Sequence, residues 1–77
     1  MKVVVYTTQT CSKCPTLKRW LKEVKKVDFE EHDLTDDNTG QQRIIEATSS
    51  MTVPVTEVDG QYVVGLNFGR ISQLLTA

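Results

Sequence analysis

Two cysteines stand between an apolar, strand-like run and an amphipathic helical pattern, and this junction constrains the fold more than any other feature of the chain. Residues 3–6 are three valines and a tyrosine without polar alternation, which is typical of a strand buried on both faces of an α/β sheet. Cys11 and Cys14 follow this run after a short polar stretch. The sequence therefore predicts a buried strand that delivers a Cys-x-x-Cys pair to the start of a helix.

The predicted helix begins at the second cysteine and extends to about residue 26. Pro15 fits its first turn, where a missing N–H costs no intrahelical hydrogen bond, and Thr10 is expected near the N-cap. The apolar stripe of this helix is expected to contain Leu17, Leu21 and Val24, spaced at i, i+4 and i+7.

The spacing of the two cysteines is typical of a redox dithiol. Such a pair closes a small disulfide or attacks one in a substrate. The unpaired N–H groups and the dipole of a helix N-terminus favour an anion, so we expect the pKa of Cys11 to lie below that of an ordinary thiol. Cys11 is therefore the predicted nucleophile and Cys14 the predicted resolving thiol.

The remaining pattern predicts three more strands and two more helices. Asp59-Gly60 favours a tight primed turn between two strands, and Pro54 is expected to start the first of these. The element order is βαβαββα. After the first helix, the expected elements are a strand near residues 28–33, a helix over 41–48, a hairpin over 52–64 and a closing helix from Phe68.

Length and charge narrow the function classes. The 77 residues fit a single domain, residues 1–77. Nine basic and ten acidic side chains give a net charge of −1, which does not favour nucleic-acid or membrane binding. The chain has no signal-peptide pattern and no apolar run of about 20 residues. We therefore expect a cytoplasmic monomer whose dithiol is catalytic or metal-binding.

Three motifs together resemble the glutaredoxin family. They are Cys11-x-x-Cys14-Pro15 after the first strand, Thr52-Val53-Pro54 about forty residues later, and Val63-Val64-Gly65 before the last helix. The resemblance covers almost the whole chain. It implies a minimal thioredoxin fold, which is an α/β fold with a four-stranded mixed sheet and helices on both faces. It also implies thiol–disulfide oxidoreductase activity, with a cis Pro54 facing the dithiol and the Val53 backbone free to pair with an extended substrate.

The resemblance implies glutathione as a co-substrate but leaves its site incomplete. A lysine that commonly precedes the first cysteine of the family by three residues is Thr8 here, and Lys13 is the expected replacement cation. Asn67 stands where the family has an acidic residue that holds the other end of glutathione. The substrate and glutathione contacts expected from the resemblance are Lys13, Gln41, Thr52, Val53, Pro54, Gly65 and Asn67.

Because of these differences from glutathione-binding glutaredoxins, a second subfamily is an alternative. NrdH-redoxins resemble glutaredoxins but take electrons from thioredoxin reductase and pass them to ribonucleotide reductase. Residues 66–70 of this chain lack the longer segment typical of NrdH-redoxins. The expected partners are therefore glutathione, thioredoxin reductase or both, together with disulfide-containing proteins such as ribonucleotide reductase.

Metal binding is the rival class. Copper-chaperone domains have a similar length and a Cys-x-x-Cys pair, but their element order ends in a strand. Some glutaredoxins bridge an iron–sulfur cluster between two subunits, usually with a single cysteine. A closed zinc site needs four ligands, and His32 is the only histidine. We expect no metal and no tightly bound cofactor, and we expect His32 to lie on a strand surface.

The predicted first helix is rich in basic residues. Such a pattern is typical of a solvated helix face, with docking as the alternative. We expect Trp20 to pack in a partly buried position. The basic residues are Lys18, Arg19, Lys22, Lys25 and Lys26.

Overall fold

Four strands build one mixed sheet in the computed structural model, which describes residues 2–76. They are β1 (Val3–Thr7), β2 (Glu30–Asp33), β3 (Val55–Val58) and β4 (Gln61–Val64), arranged in the order β2-β1-β3-β4. β1 pairs in parallel with β2 and antiparallel with β3, which pairs antiparallel with β4. All five residues of β1 are buried, which confirms the predicted central strand.

Helices cover both faces of the sheet because alternate strand residues point in opposite directions. One cluster of buried residues joins Val3 and Val5 to Leu17, Leu21 and other side chains. The second cluster joins Val4 and Tyr6 to Ile44. The helices are α1 (Cys14–Arg19), α2 (Asn38–Thr48) and α3 (Phe68–Thr76). The predicted order of strands and helices is confirmed.

The first helix changes its geometry halfway. After α1 the chain continues as a π-helical segment, Trp20–Val24, in which the N–H of Lys25 donates to the carbonyl of Trp20 over 3.2 Å. The wider π turn rotates later side chains away from the stripe set by α-helical spacing. Val24 is therefore 64% exposed, and its predicted place on the apolar stripe is wrong. The helix also ends at Val24 rather than near residue 26, since Lys26 has a φ of 54°.

Trp20 packs as expected. Its ring stacks on Phe68 with ring centroids 4.5 Å apart, and the Lys25 ammonium lies 5.6 Å from the ring centroid. The stack joins the π-helical segment to α3 and is part of the border of the first cluster.

The second helix begins three residues earlier than predicted. Asp37 is its N-cap, and the Asp37 carboxylate accepts a hydrogen bond from the N–H of Gly40 over 2.9 Å. A carboxylate in this position satisfies one of the free N–H groups of the first turn. The polar stretch before Gln41 therefore belongs to α2, although its residues carry no apolar periodicity.

The hairpin forms around the predicted turn. Asp59 and Gly60 have φ values of 49° and 87°, and two consecutive positive values define the primed turn that matches strand twist. β3 begins at Val55, which pairs with Tyr6 and with Val64. The predicted strand start at residues 52–54 is therefore too early, and Pro54 lies just outside the ladder.

No helix within residues 2–76 has both the length and the apolar character needed to cross a membrane.

Candidate active site

Cys11 and Cys14 form a disulfide, with their Cα atoms 5.6 Å apart. The two sulfurs differ in access. Cys14 is buried, with 3% of its surface exposed, whereas Cys11 is partly exposed. A substrate that approaches from solvent therefore meets Cys11 first.

Backbone hydrogen bonds fix the dithiol loop at the start of α1. The N–H of Cys11 donates to the carbonyl of Thr8 over 3.3 Å, and the N–H of Cys14 donates to the sulfur of Cys11 over 3.1 Å. Lys13 is the N-cap residue, and its side chain makes no capping hydrogen bond. Thr10, expected near the N-cap, lies three residues before it, because the helix begins at Cys14 with Lys13 as its N-cap.

The strand register brings Pro54 to the same edge of the sheet as the dithiol, namely the edge where the central strand β1 ends and the central strand β3 begins. Tyr6, near the end of β1, pairs with Val55 at the start of β3. The dithiol loop leaves β1 at this edge, and Val53-Pro54 enters β3 there. The Val53–Pro54 peptide bond is cis, as predicted, and Pro54 is buried.

Val53 presents an open stretch of backbone at this edge. Within residues 2–76, no group hydrogen-bonds to its backbone N–H or carbonyl. The neighbouring carbonyl of Pro54 accepts from the N–H of Gly65 over 2.8 Å. Gly65 has a φ of 76°, a conformation that favours glycine. The chain after β4 therefore braces Pro54, while the backbone of the half-buried Val53 has no hydrogen-bond partner within residues 2–76.

Gln41 lies at the same edge but is already engaged. Its side-chain amide donates to the carbonyl of Leu34 and, over 3.4 Å, to that of Thr35. The N–H of Leu34 in turn donates to Thr7 over 2.8 Å, and the N–H of Gln9 donates to the Thr35 hydroxyl over 2.9 Å. Gln41 thus connects α2 to the loop beside the dithiol. Its role as a glutathione contact stays a prediction.

Three further residues are predicted to contact substrate or glutathione, and the structure shows the local contacts of each. The Asn67 side-chain oxygen accepts from the N–H of Arg70 over 3.2 Å at the start of α3. The Thr52 hydroxyl lies 2.6 Å from that of Ser50. Lys13 is exposed and forms no ion pair with residues 2–76. The binding of substrate or glutathione by Asn67, Thr52 and Lys13 therefore stays a prediction.

A polar bridge that joins α1 to β2 was not expected from the sequence. The buried hydroxyl of Thr7 donates to Glu31 over 3.1 Å, and the Lys18 ammonium approaches the same carboxylate oxygen at 3.0 Å. The sequence feature that indicates this bridge is Thr7, a polar residue at the end of the otherwise apolar strand β1. The bridge anchors the helix that carries Cys14.

Tyr6 packs on the opposite face, away from the first cluster. Its hydroxyl donates to Glu57 over 2.6 Å, and its ring contacts His32 edge-on and stacks near Tyr62. Burial, then the hydrogen bond to Glu57 and its charge, raise the pKa of Tyr6 to about 12. Sheet packing is therefore the role of Tyr6 that these contacts support. His32 is exposed on β2, as expected.

Within the described part of the chain, no three histidine, cysteine or acidic side chains lie close enough to hold a metal ion. The element order ends in α3, unlike the copper-chaperone order that was the rival prediction.

Comparison with known proteins agrees with this geometry. The family model described as Glutaredoxin matches residues 3–63. A glutaredoxin-like 8.6 kDa protein encoded in a rubredoxin operon of Clostridium pasteurianum is 32% identical over 73 residues, which cover 95% of this chain and 96% of that protein. The chain belongs to the glutaredoxin family.

Solved structures show the same fold. The thioredoxin-like protein BC3987 is 32% identical, with a TM-score of 0.81 over 95% of this chain and 99% of that chain. A glutaredoxin from Archaeoglobus fulgidus is 23% identical, with a TM-score of 0.85 over 99% of this chain and 87% of that chain. A buckwheat glutaredoxin in complex with glutathione is 20% identical, with a TM-score of 0.76 over 96% of this chain and 73% of that chain. The predicted minimal thioredoxin fold is confirmed, and the Cys11–Cys14 disulfide occurs in the setting of a redox-active pair.

Proposed function

We propose that this protein is a dithiol thiol–disulfide oxidoreductase that reduces disulfides in proteins. The observation that carries the proposal is the asymmetry of the pair. Cys11 is accessible and accepts the N–H of Cys14, whereas Cys14 is buried behind it. An attacking thiol needs access and thiolate character, while a resolving thiol needs only to reach its neighbour.

The reaction proceeds through one mixed disulfide. The Cys11 thiolate attacks a substrate disulfide, forms a bond to one substrate sulfur and releases the other as a thiolate that takes up a proton. The Cys14 thiolate then attacks the Cys11 sulfur and releases the second substrate sulfur. The protein becomes the Cys11–Cys14 disulfide, and two electrons pass to the substrate.

Val53 and Pro54 form the substrate groove in this proposal. The N–H and carbonyl of Val53 have no hydrogen-bond partner within residues 2–76 and lie just before β3, where the register places the start of β3 next to the end of β1. An extended segment that carries the reacting cysteine pairs with this backbone as an added strand does. Backbone pairing tolerates many side chains, so it suits an enzyme with several protein substrates.

Glutathione is the first candidate reductant. The structural relative from buckwheat was crystallised with glutathione, and Val53 offers this chain's backbone to a peptide-like ligand. Lys13 supplies an exposed cation beside the pair. Two reduced glutathione molecules would restore the dithiol through a glutathionyl mixed disulfide at Cys11.

Thioredoxin reductase is the second candidate. The Gln41 amide and the Asn67 side-chain oxygen are both engaged within the chain, so binding glutathione through them would cost existing hydrogen bonds. A reductase that reaches Cys11 directly needs neither side chain. Ribonucleotide reductase is one expected recipient of the electrons in that case.

The test follows NADPH consumption by the oxidised protein in two coupled systems. One contains glutathione with glutathione reductase, and the other contains thioredoxin reductase alone. Turnover in the first supports the glutathione site, and turnover only in the second supports the NrdH-redoxin type. Cys11→Ser is the control for both, and loss of turnover is expected. Absence of turnover in both systems with the unmodified protein would contradict the proposed function and favour metal binding.

We further propose that the protein works as a monomer in the cytoplasm, where thiol pools keep such a pair reduced.

A further inference from the structure

The small net charge hides a strong separation of charge along the chain. Residues 13–26 contain six of the nine basic side chains and only one acidic side chain. Residues 27–42 contain six of the ten acidic side chains and no lysine or arginine. The helix that starts at the dithiol is therefore a positive surface, and β2 with the loop after it is a negative one.

Arg19 and Lys22 are two charges of the positive surface that are unpaired in the described chain. Both are exposed, and neither forms an ion pair within residues 2–76. Lys18 differs because it is paired with Glu31 at 3.0 Å. Within this described range, Arg19 and Lys22 are left without a partner of opposite charge.

These two residues border a concave site. A cavity of about 320 Å³ is lined by Lys18, Arg19, Lys22, Phe29 and Glu31. The half-buried Phe29 ring packs against the first core cluster. Since Lys18 and Thr7 already engage Glu31, that carboxylate does not neutralise the other two cations. The cavity combines an apolar wall with a guanidinium and an ammonium group.

The distance from the dithiol to this cavity determines how far an acidic residue of a substrate must lie from its reacting cysteine to reach the cavity. Arg19 and Lys22 lie five and eight positions after Cys14, or roughly 8 to 12 Å along the helix at about 1.5 Å per residue. An extended peptide covers about 3.3 Å per residue. The attacking sulfur belongs to Cys11, whose Cα lies 5.6 Å from that of Cys14. A carboxylate about two to five residues from a reacting cysteine therefore reaches the cavity.

We propose that the cavity beside Arg19 and Lys22 is a docking site for an acidic segment of the disulfide-bearing protein substrate. This inference rests on the proposed function and adds the class of partner. Charge complementarity speeds encounter and orients the substrate. The acidic residues from β2 onward repel the same segment, so it lies along the first helix with its cysteine toward Cys11.

The experiment measures the reduction of two matched peptides in a single turnover. Each peptide is closed by an internal disulfide and carries either glutamates or glutamines about three residues from one cysteine. The pre-reduced protein is mixed with each peptide, quenched with acid, and the reduced peptide is quantified by chromatography. The test variant is Arg19→Glu with Lys22→Glu. The control is Arg43→Glu with Arg70→Glu, which changes the net charge equally on α2 and α3.

The unmodified protein should reduce the acidic peptide about tenfold faster than the glutamine peptide at low ionic strength. About 0.5 M salt should remove this advantage. The test variant should lose the preference but reduce the glutamine peptide at the normal rate, which also shows that it is folded. The control variant should keep the preference. Arg19→Gln with Lys22→Gln removes the charges without adding repulsion and should give the same loss.

Equal rates for both peptides with the unmodified protein would overturn the docking site while leaving the proposed function intact. A control variant that loses the preference as fully as the test variant would also overturn it, since net charge would then explain the effect. Reduction of neither peptide would overturn the docking site together with the oxidoreductase activity.

Discussion

The backbone N–H of Cys14 donates a hydrogen bond to the sulfur of Cys11 over 3.1 Å. This contact lies at the N-terminus of α1, where the helix leaves its first N–H groups without intrahelical partners. We expect the same N–H to donate to the Cys11 thiolate in the reduced protein. The first residue of the pair is thereby favoured as an anion, and the second residue provides the hydrogen bond.

This relationship predicts a lowered pKa for Cys11 in the reduced protein. The Cys14→Ser variant keeps the backbone N–H and leaves Cys11 as the single thiol. Its alkylation by iodoacetamide should reach half of its maximal rate at a lower pH than a short peptide of residues 9–16 with the same substitution. Equal midpoints in the protein and the peptide would contradict thiolate stabilisation by the helix start.

Substitution of Gly40 should destabilise the protein, because the N-cap side chain of α2 packs against this glycine. A Cβ atom at this position would lie 2.5 Å from a carboxylate oxygen of Asp37 and 2.6 Å from a methyl carbon of Leu34. Gly40→Ala should therefore displace the Asp37 cap and lower the free energy of unfolding by about 1–3 kcal/mol. Urea unfolding followed by circular dichroism measures the change.

Gly69 is the matched control for this substitution. It also lies in the first turn of a helix, but the nearest atom to an added Cβ would be the Asn67 side-chain oxygen at 4.0 Å. Gly69→Ala should raise the free energy of unfolding by about 0.5 kcal/mol, since alanine favours the helix. A loss of stability equal to that of Gly40→Ala would show that the contacts of Gly40 are not the cause.

Stability should fall in alkaline solution because of Tyr6. Burial first, and then the hydrogen bond to Glu57, raise the pKa of Tyr6 from 10.0 to about 12. Between these pH values the unfolded chain has lost the proton that the folded protein keeps, so the free energy of unfolding decreases as pH rises. Below pH 10.0 this contribution is fully present.

Tyr62 must be removed to isolate this effect, because burial followed by the charge of Glu57 also raises the pKa of Tyr62. In Tyr62→Phe, the tyrosinate absorbance should appear with a midpoint above pH 10.0 but below about 12, because the charge of Tyr62 no longer raises the pKa of Tyr6. Adding Tyr6→Phe should remove that absorbance and flatten the loss of stability between pH 10 and 12. An ordinary tyrosine titration in Tyr62→Phe would contradict the buried Tyr6–Glu57 contact.

Local chemistry made much of the fold predictable. The run that forms β1 is apolar because both of its faces are covered, and Asp59-Gly60 supplies the positive φ values that its turn requires. The dithiol was equally visible, since a Cys-x-x-Cys pair between a strand and a helix has few alternatives. These signals depend on neighbouring residues alone.

The errors arose where distant contacts decide the structure. Val24 lies off the apolar stripe because the chain changes from α- to π-helical spacing at Trp20, where the ring stacks on Phe68. The α-helical period contains no sign of that change. Likewise, Lys13 and not Thr10 is the N-cap of α1, and the Cys11 sulfur accepts the N–H of Cys14. The internal engagement of Gln41 depends on the Leu34 carbonyl, which only the folded chain brings near.

Trapping of a mixed disulfide tests most directly the central claim that Cys11 attacks and Cys14 resolves. Cys14→Ser and Cys11→Ser are each incubated with a peptide closed by an internal disulfide, blocked with iodoacetamide and weighed by intact mass spectrometry. Cys14→Ser should gain the mass of the peptide plus one carbamidomethyl group on the released peptide thiol, through a bond that dithiothreitol breaks. Cys11→Ser should gain no peptide. An adduct on Cys11→Ser with none on Cys14→Ser would reverse the two roles and contradict the claim.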